Sequence, residues 1–369
     1  MGEYYMKRCC NLVSPFINNN SIAKIGRNLL NSLSLMNANF AVVDFSDEFE
    51  NMPLKKDMKL LKTLNKTMIS ELSVENNIVF NSNLAVMRKY SFPYKYIPYF
   101  SVGTNKIPRE YLKLLVDKDI IFVYNNFTKN VICSQGINEE SIKIVTPSID
   151  TTIYKNPKSC VINGKKSFAF FSILNMHDPN WLDVVGSFCK TFSSKDDVCL
   201  VLKVSDVEYS NYYRINIARL IDFEKKKYGE DTPTIILISD SFTDKEMASL
   251  YSSCNCYVKI SDVNSGISFI EAFASGLICV GPDDGGSREI LDRNVGFVVS
   301  KKFEKRISNS TVLDGITYDA YDTDHLSAIM RWIFDNSSTL KEKTVKERKL
   351  ILSKFDRNVV ALEFLKSLR

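Results

Sequence analysis

The feature that most constrains this chain is an alternation of short apolar runs with longer amphipathic segments, which reaches a polar break and then starts again. Runs that are apolar throughout suit strands buried on both faces of a parallel sheet. The amphipathic segments between them suit helices that cover such a sheet. In the first half, strands are expected at Cys10–Val13, Phe40–Phe45, Asn77–Phe80, Tyr96–Phe100 and Ile120–Tyr124. Helices are expected at Ile22–Leu35, Leu54–Ser70, Arg109–Leu115 and from Asn126 to about Ser134. Ile142–Tyr154 starts as extended chain and carries Pro147. Lys155–Lys166 is polar, with Pro157 and Gly164, and reads as a linker.

After the linker the pattern repeats. Strands are expected at Phe168–Ile173, Val198–Val204, Thr234–Ile238, Cys256–Ile260, Leu277–Val280 and Gly296–Val299. Helices are expected at Trp181–Thr191, Asn211–Lys227, Asp244–Ser252, Ser268–Ser275, Ser287–Leu291 and His325–Asn336. Lys341–Leu368 reads as one or two closing helices. A chain of 369 residues can bury two cores. The expected class is α/β, with two doubly wound domains over 1–155 and 156–352. Such domains bind ligands in the crevice at the carboxyl ends of their strands, so a central cleft is expected.

Composition narrows the partners. At 45% hydrophobic and 25% charged, the chain is globular rather than disordered. A net charge of +5 is small for this length and does not point to nucleic acid. The nine cysteines are odd in number, and several sit in apolar runs such as Val198-Cys199-Leu200. That suits reduced thiols in the cytoplasm. Cys254 and Cys256 have no second pair at zinc-site spacing, so no metal is expected. Met1–Phe16 lacks a long apolar core, and no apolar run is long enough for a membrane span. Neither a secretory signal nor a transmembrane segment is expected.

The stretch Ser265-Gly266-Ile267-Ser268-Phe269-Ile270-Glu271-Ala272-Phe273-Ala274-Ser275-Gly276 carries the most chemistry. A strand ends in a loop where Gly266 lets backbone approach a ligand. A helix then begins near Ser268, and its free N–H groups favour an anion such as a diphosphate. Glu271, one turn in, can accept two ribose hydroxyls, and Gly276 stops the helix. After the next strand, Gly281-Pro282-Asp283-Asp284-Gly285-Gly286-Ser287-Arg288-Glu289-Ile290 repeats the design with a second set of backbone donors. Either loop alone is equally an ordinary βα turn. The two in order favour a phosphate site.

These residues resemble the donor-binding half of family 4 retaining glycosyltransferases of the GT-B fold. Gly266, Glu271, Ala272, Ala274, Gly276, Gly285, Gly286, Glu289 and Ile290 match that pattern in register. Weaker likenesses extend along the chain. They include Phe127–Ile132, Ile142–Asp150, Phe168–Ile173 with Trp181–Phe188, and Phe355–Val360, which resembles the family's closing helix. The resemblance implies two Rossmann-like domains facing a cleft, the first closed by a C-terminal helix over about 353–369. It implies a donor site of Asn175, Ser265, Gly266, Ile267, Glu271, Gly285, Gly286, Arg288 and Glu289.

The departures are as informative. Eight positions before Glu271, where the family has a first glutamate, stands Val263, beside Asp262 and Asn264. The family's Arg and Lys after the second domain's first strand are missing from Leu174–Asn180. Lys203, at the end of the next strand, is the nearest cation. A lysine there is as often a plain strand end. Asp262 and Lys203 are therefore the candidates for the missing catalytic groups. The turn Ser14–Ser21 has no glycine, and no catalytic acid or base stands out.

The expected activity is transfer of a sugar, with retention, from a UDP- or GDP-linked sugar to a glycan, lipid or protein acceptor, without a metal or other cofactor. The departures motivate an alternative, a catalytically degenerate GT-B protein that binds or interacts. An epimerase-like enzyme on the same fold is a third reading.

Overall fold

The computed structural model describes residues 10–18, 20–38, 40–45, 76–80, 95–100, 106–174, 180–204, 211–260, 265–291, 296–307 and 317–368. The expected helix Leu54–Ser70 lies outside them. The chain divides into two compact units: Met1–Asp150 with Ser353–Arg369, and Thr151–Leu352.

The first unit holds a parallel six-stranded sheet of β1 (Cys10–Ser14), β2 (Phe40–Asp44), β3 (Asn76–Phe80), β4 (Lys95–Phe100), β5 (Ile121–Val123) and β6 (Ile142–Ile144). The order is β2-β1-β3-β4-β5-β6, so the winding reverses at β1. A buried amide pair fixes the register there, with Asn11 Nδ2 donating to Asn77 Oδ1 at 2.8 Å. Helix α1 (Ser21–Leu35) starts where Asn20 is extended and its side chain accepts from the Ala23 N–H. Gly26 lies against β1, and a β carbon there would stand 2.4 Å from Ser14 Oγ. Buried Arg27 donates to the carbonyls of Phe16 and Asn18, which ties the glycine-free turn after β1 to the helix. Helices α2 (Arg109–Leu115) and α3 (Asn126–Cys133) complete the described helices before residue 150. The C-terminal helix Arg357–Ser367 packs on α1 and sends Phe364 into the core, 5.2 Å from the Phe122 ring. Its start is fastened by Ile149 N–H to Phe355 O at 2.9 Å, by Arg357 N–H to Ile149 O at 3.0 Å, and by an Arg357–Asp150 ion pair at 2.5 Å.

The second unit begins with the short helix α4 (Thr151–Lys155) and holds β7 (Phe168–Leu174), β8 (Val198–Val204), β9 (Thr234–Ile238), β10 (Cys256–Val258), β11 (Ile278–Pro282) and β12 (Gly296–Val299). The order is β12-β11-β10-β7-β8-β9, all parallel. The chain winds outward from β7 in one direction and returns at β10 to wind in the other, the doubly wound topology. Helices α5 (Trp181–Thr191), α6 (Asn211–Lys226), α7 (Asp244–Ser252), α8 (Ile267–Ala274) and α9 (Gly285–Leu291) alternate with the strands. A hairpin of β13 (Lys301–Ile307) and β14 (Thr317–Tyr321) follows β12, and α10 (Thr323–Asp335) and α11 (Ser337–Lys354) end the unit. Aromatic rings fill the core around β7, where Phe168, Phe170, Phe188, Phe192 and Phe334 meet at 5.0–6.0 Å. Among the described residues no helix is long and apolar enough to cross a membrane.

Most elements lie where the pattern puts them, and three differ. The division between units falls after Asp150 rather than after Lys155, because α4 is hydrogen-bonded into the second unit. One turn of helix is too short to show a period, so tertiary contacts decide it. The hairpin reads Lys-Lys-Phe-Glu-Lys-Arg-Ile and Thr-Tyr-Asp-Ala-Tyr, with too few apolar residues to mark a strand. Strand β10 ends at Val258, although Lys259 N–H still donates to Val280 O at 2.9 Å.

Two outcomes follow for stability. Replacing Phe364 with Ala should cost the first unit about 3–5 kcal/mol. Both tryptophans, Trp181 and Trp332, belong to the second unit. Circular dichroism should therefore show an earlier transition while tryptophan fluorescence keeps its midpoint; an unshifted dichroism transition would place Phe364 outside the core. The second concerns pH. Burial pushes the Cys189 thiol up from 9.0 to about 11, and it raises the Tyr99 and Tyr124 phenols. The unfolded chain then loses these protons first, so stability is full below about pH 9 and falls as pH rises toward 11. Denaturant midpoints should drop between about pH 9 and about pH 11, less steeply in Cys189→Ala. A flat profile would contradict the burial of these groups.

Candidate functional site

In a doubly wound sheet, the two loops at the reversal leave the sheet on opposite faces and open a crevice between them. In the second unit the reversal lies between β7 and β10, which pair through Cys256↔Phe170 and Tyr257↔Phe171. Asn175, after β7, and Asp262, after β10, lie outside the described residues. The loop after β10 returns at Ser265 and enters α8 through Gly266.

Gly266 has φ +70°, a left-handed conformation that L side chains rarely adopt. A β carbon at this position would stand 2.2 Å from Ile290 Cδ1 and 3.9 Å from the Gly286 carbonyl oxygen. So the glycine serves two needs, its backbone angle and the close approach of α9. The sequence suggested only ligand approach. The Gly266 carbonyl accepts from the N–H groups of Phe269 and Ile270. Ser265 Oγ accepts from the Ile267 N–H at 3.5 Å, and no acid stands in the first turn of α8, so its positive end suits an anion. Ser265 is half-buried and Ile267 buried at this entrance.

The other end of α8 is closed by glycine. Gly276 has φ +85°. Its N–H donates to Phe273 O at 2.9 Å, and Leu277 N–H donates to Ala272 O at 3.0 Å. Arg348 of α11 takes a further carbonyl, with Nε 2.8 Å from Ala274 O. Its Nη2 donates to the carbonyls of Tyr154 and Lys155. One guanidinium thus clasps the ends of α8 and α4.

Glu271 is enclosed, at 3% exposure, among the apolar residues of α8. Its Oε1 accepts from Tyr154 OH at 2.8 Å and its Oε2 from Tyr251 OH at 3.3 Å. Burial, and then the Glu271 charge, holds the Tyr251 phenol well above its ordinary pKa, so it stays a donor. Sequence reasoning missed both tyrosines. They lie 117 and 20 positions from Glu271, and an isolated tyrosine in an apolar segment carries no signal.

The second glycine turn follows β11. Gly285 has φ +70°, and Gly285, Gly286 and Ser287 are buried at the start of α9. The acids before it are neutralised within the fold. Arg288 Nε lies 2.7 Å from Asp283 Oδ1. Lys301 bridges Asp284 and Asp319, the latter at 2.8 Å. Burial opposes the Lys301 charge, but the two carboxylates outweigh it and raise its pKa. Glu289 is exposed.

Lys203 stands at the carboxyl end of β8, in register with Ile173 of β7, the strand beside the reversal. It is 2% exposed, with Nζ 2.5 Å from Val204 O and 5.6 Å from the centre of the Phe242 ring. The structure therefore joins Gly266, Gly286 and Ile290 in one contact, with Glu271 inside the same helix. It sets Lys203 on the far side of β7 from β10.

Solved structures resemble the chain over 98% of its length. Anabaena Alr3699/HepE in complex with UDP-glucose matches at a TM-score of 0.65, with 11% identity over 99% of that chain. The sucrose-phosphate synthase of Thermosynechococcus elongatus matches at 0.64, with 11% identity over 98% of that chain. The trehalose-6-phosphate synthase OtsA matches at 0.60, with 11% identity over 99% of that chain. No family model matches the sequence, and no curated protein matches it. The likeness shows the fold, which is GT-B, built from two Rossmann-like doubly wound units.

The contact between the glycine turns can be measured. Gly266→Ala should cost about 1–2 kcal/mol from the left-handed angle alone, and more while Ile290 is present. In an Ile290→Ala background the added cost should fall, giving a coupling of about 0.5–3 kcal/mol between the two sites. Strictly additive denaturation free energies would show that α9 does not press on Gly266.

Proposed function

We propose that this chain is a glycosyltransferase. It moves a sugar from a nucleotide diphosphate sugar to a glycan, lipid or protein acceptor, with retention, in the manner of family 4. The observation that supports this most is the pair of glycine-opened helices, α8 and α9, at the carboxyl ends of neighbouring strands and in contact through Gly266 and Gly286. Backbone N–H groups at helix starts beside a sheet reversal are suited to a diphosphate. Structural neighbours described with UDP, or with UDP-glucose, support a nucleotide sugar as donor.

In this reading the diphosphate lies over Gly266, Gly285 and Gly286, and Glu271 accepts the ribose hydroxyls. Asn175, Asp262, Ser265, Ile267, Arg288 and Glu289 complete the donor site. Negative charge grows on the diphosphate as the glycosidic bond breaks, and preorganised donors around it lower the barrier. In this reading Lys203, buried near the end of β8, supplies a cation for this. Its interaction with an anion is stronger there than in water. Backbone donors and cations, rather than a metal ion, neutralise the leaving group. The described cysteines are free thiols, which suits a cytoplasmic enzyme.

A binding module without turnover is the second reading. The pairing of Arg288 with Asp283 favours it, because that guanidinium is already engaged within the fold.

Calorimetry with a panel of UDP- and GDP-sugars, followed by assays of donor hydrolysis, separates the two. Transfer requires turnover of the best-binding donor. Lys203→Ala and Asp262→Ala should each lower that rate, by about 10²–10³ if the group stabilises the leaving diphosphate. Tight binding with no turnover selects the second reading. If no member of the panel binds, both fail.

A further inference from the structure

We propose that Tyr154 and Tyr251 are positioning residues for the nucleoside, holding the Glu271 carboxylate in the orientation that receives ribose hydroxyls. This rests on the nucleotide-sugar reading above. A carboxylate at 3% exposure needs donors, and α8 itself is apolar at Ile267, Phe269, Ile270, Ala272, Phe273 and Ala274. The donors come from two other elements, one to each oxygen: Tyr154 OH to Oε1 at 2.8 Å and Tyr251 OH to Oε2 at 3.3 Å. The last torsion of a glutamate is broad and nearly two-fold, so an unheld carboxylate rotates freely. A separate donor on each oxygen fixes its plane, as recognition of a vicinal diol requires.

Both phenols are themselves held. Tyr251 is fully buried, and its ring meets Phe171 at 5.1 Å and Tyr257 at 5.7 Å. Tyr257 in turn stands edge-on to Phe269 of α8 at 5.2 Å. Tyr154 is 2% exposed, and its own carbonyl accepts from Arg348, the side chain that also closes the end of α8. The carboxylate, its two donors and the helix that carries it therefore form one rigid assembly. A purely structural role would give the same contacts, so the test must separate the two.

The test is a thermodynamic cycle by calorimetry on the full chain. UDP is compared with 2′-deoxy-UDP, and GDP with 2′-deoxy-GDP, in wild type, Tyr154→Phe and Tyr251→Phe. A hydroxyl bound to a fixed carboxylate should give wild type a preference of about tenfold or more for the ribonucleotide. Each Phe variant should lose most of that preference and keep its affinity for the deoxynucleotide. Either variant suffices, and the second serves if the first does not fold. Equal weakening of both ligands, or an unchanged preference, would make the tyrosines structural only and overturn the proposal. If Glu271→Gln keeps the wild-type preference, the ribose assignment fails. If wild type binds neither diphosphate, the nucleotide reading fails, and the proposal with it.

Discussion

Parallel pairing is the constraint on which this molecule depends. A strand that must lie parallel to its neighbour cannot turn back in a hairpin. It has to cross back over the sheet before it pairs again, so within each unit every strand of the six ends at the same edge. Loops and helix starts then collect there. In the second unit this puts the turns after β10 and β11 side by side, close enough for a single side chain, Ile290, to cover Gly266. The approach is possible only because residue 266 has no β carbon and residue 276 can end the helix with positive φ.

The same edge gathers charge that the fold then has to satisfy. Arg288 pairs with Asp283, and Lys301 with Asp284 and Asp319, all only partly withdrawn from water. Such pairs set local geometry more than stability. Glu271 and Lys203 are different, because both are almost fully buried. A buried charge is strongly destabilising without partners. The carboxylate has two phenols, and the ammonium has a carbonyl and the Phe242 ring.

Much of the fold could be read from the chain alone. Val198–Val204, Thr234–Ile238 and Gly296–Val299 form strands, and Trp181–Thr191 and Asp244–Ser252 form helices, over the residues their apolar periods mark. Burial on both faces of a parallel sheet writes itself into a strand as a continuous apolar run. The glycine stretches were legible for a related reason. Gly266, Gly276 and Gly285 all have positive φ, a backbone requirement that selects the residue directly.

What remained hidden depends on contacts distant in sequence. Nothing local marks Tyr154 as a partner of Glu271, or Arg348 as the group that closes both α8 and α4. The hairpin after β12 is held by pairing between two polar segments and has no period of its own. The short helix α4 exists through its side chains' partners. The sequence by itself determined the two doubly wound units and the glycine turns, because periodic burial and backbone angle are properties of each residue's own position. Only the tertiary structure decided that Glu271 is enclosed by two phenols and Gly266 covered by Ile290, because those facts belong to pairs of residues that meet after the sheet has formed.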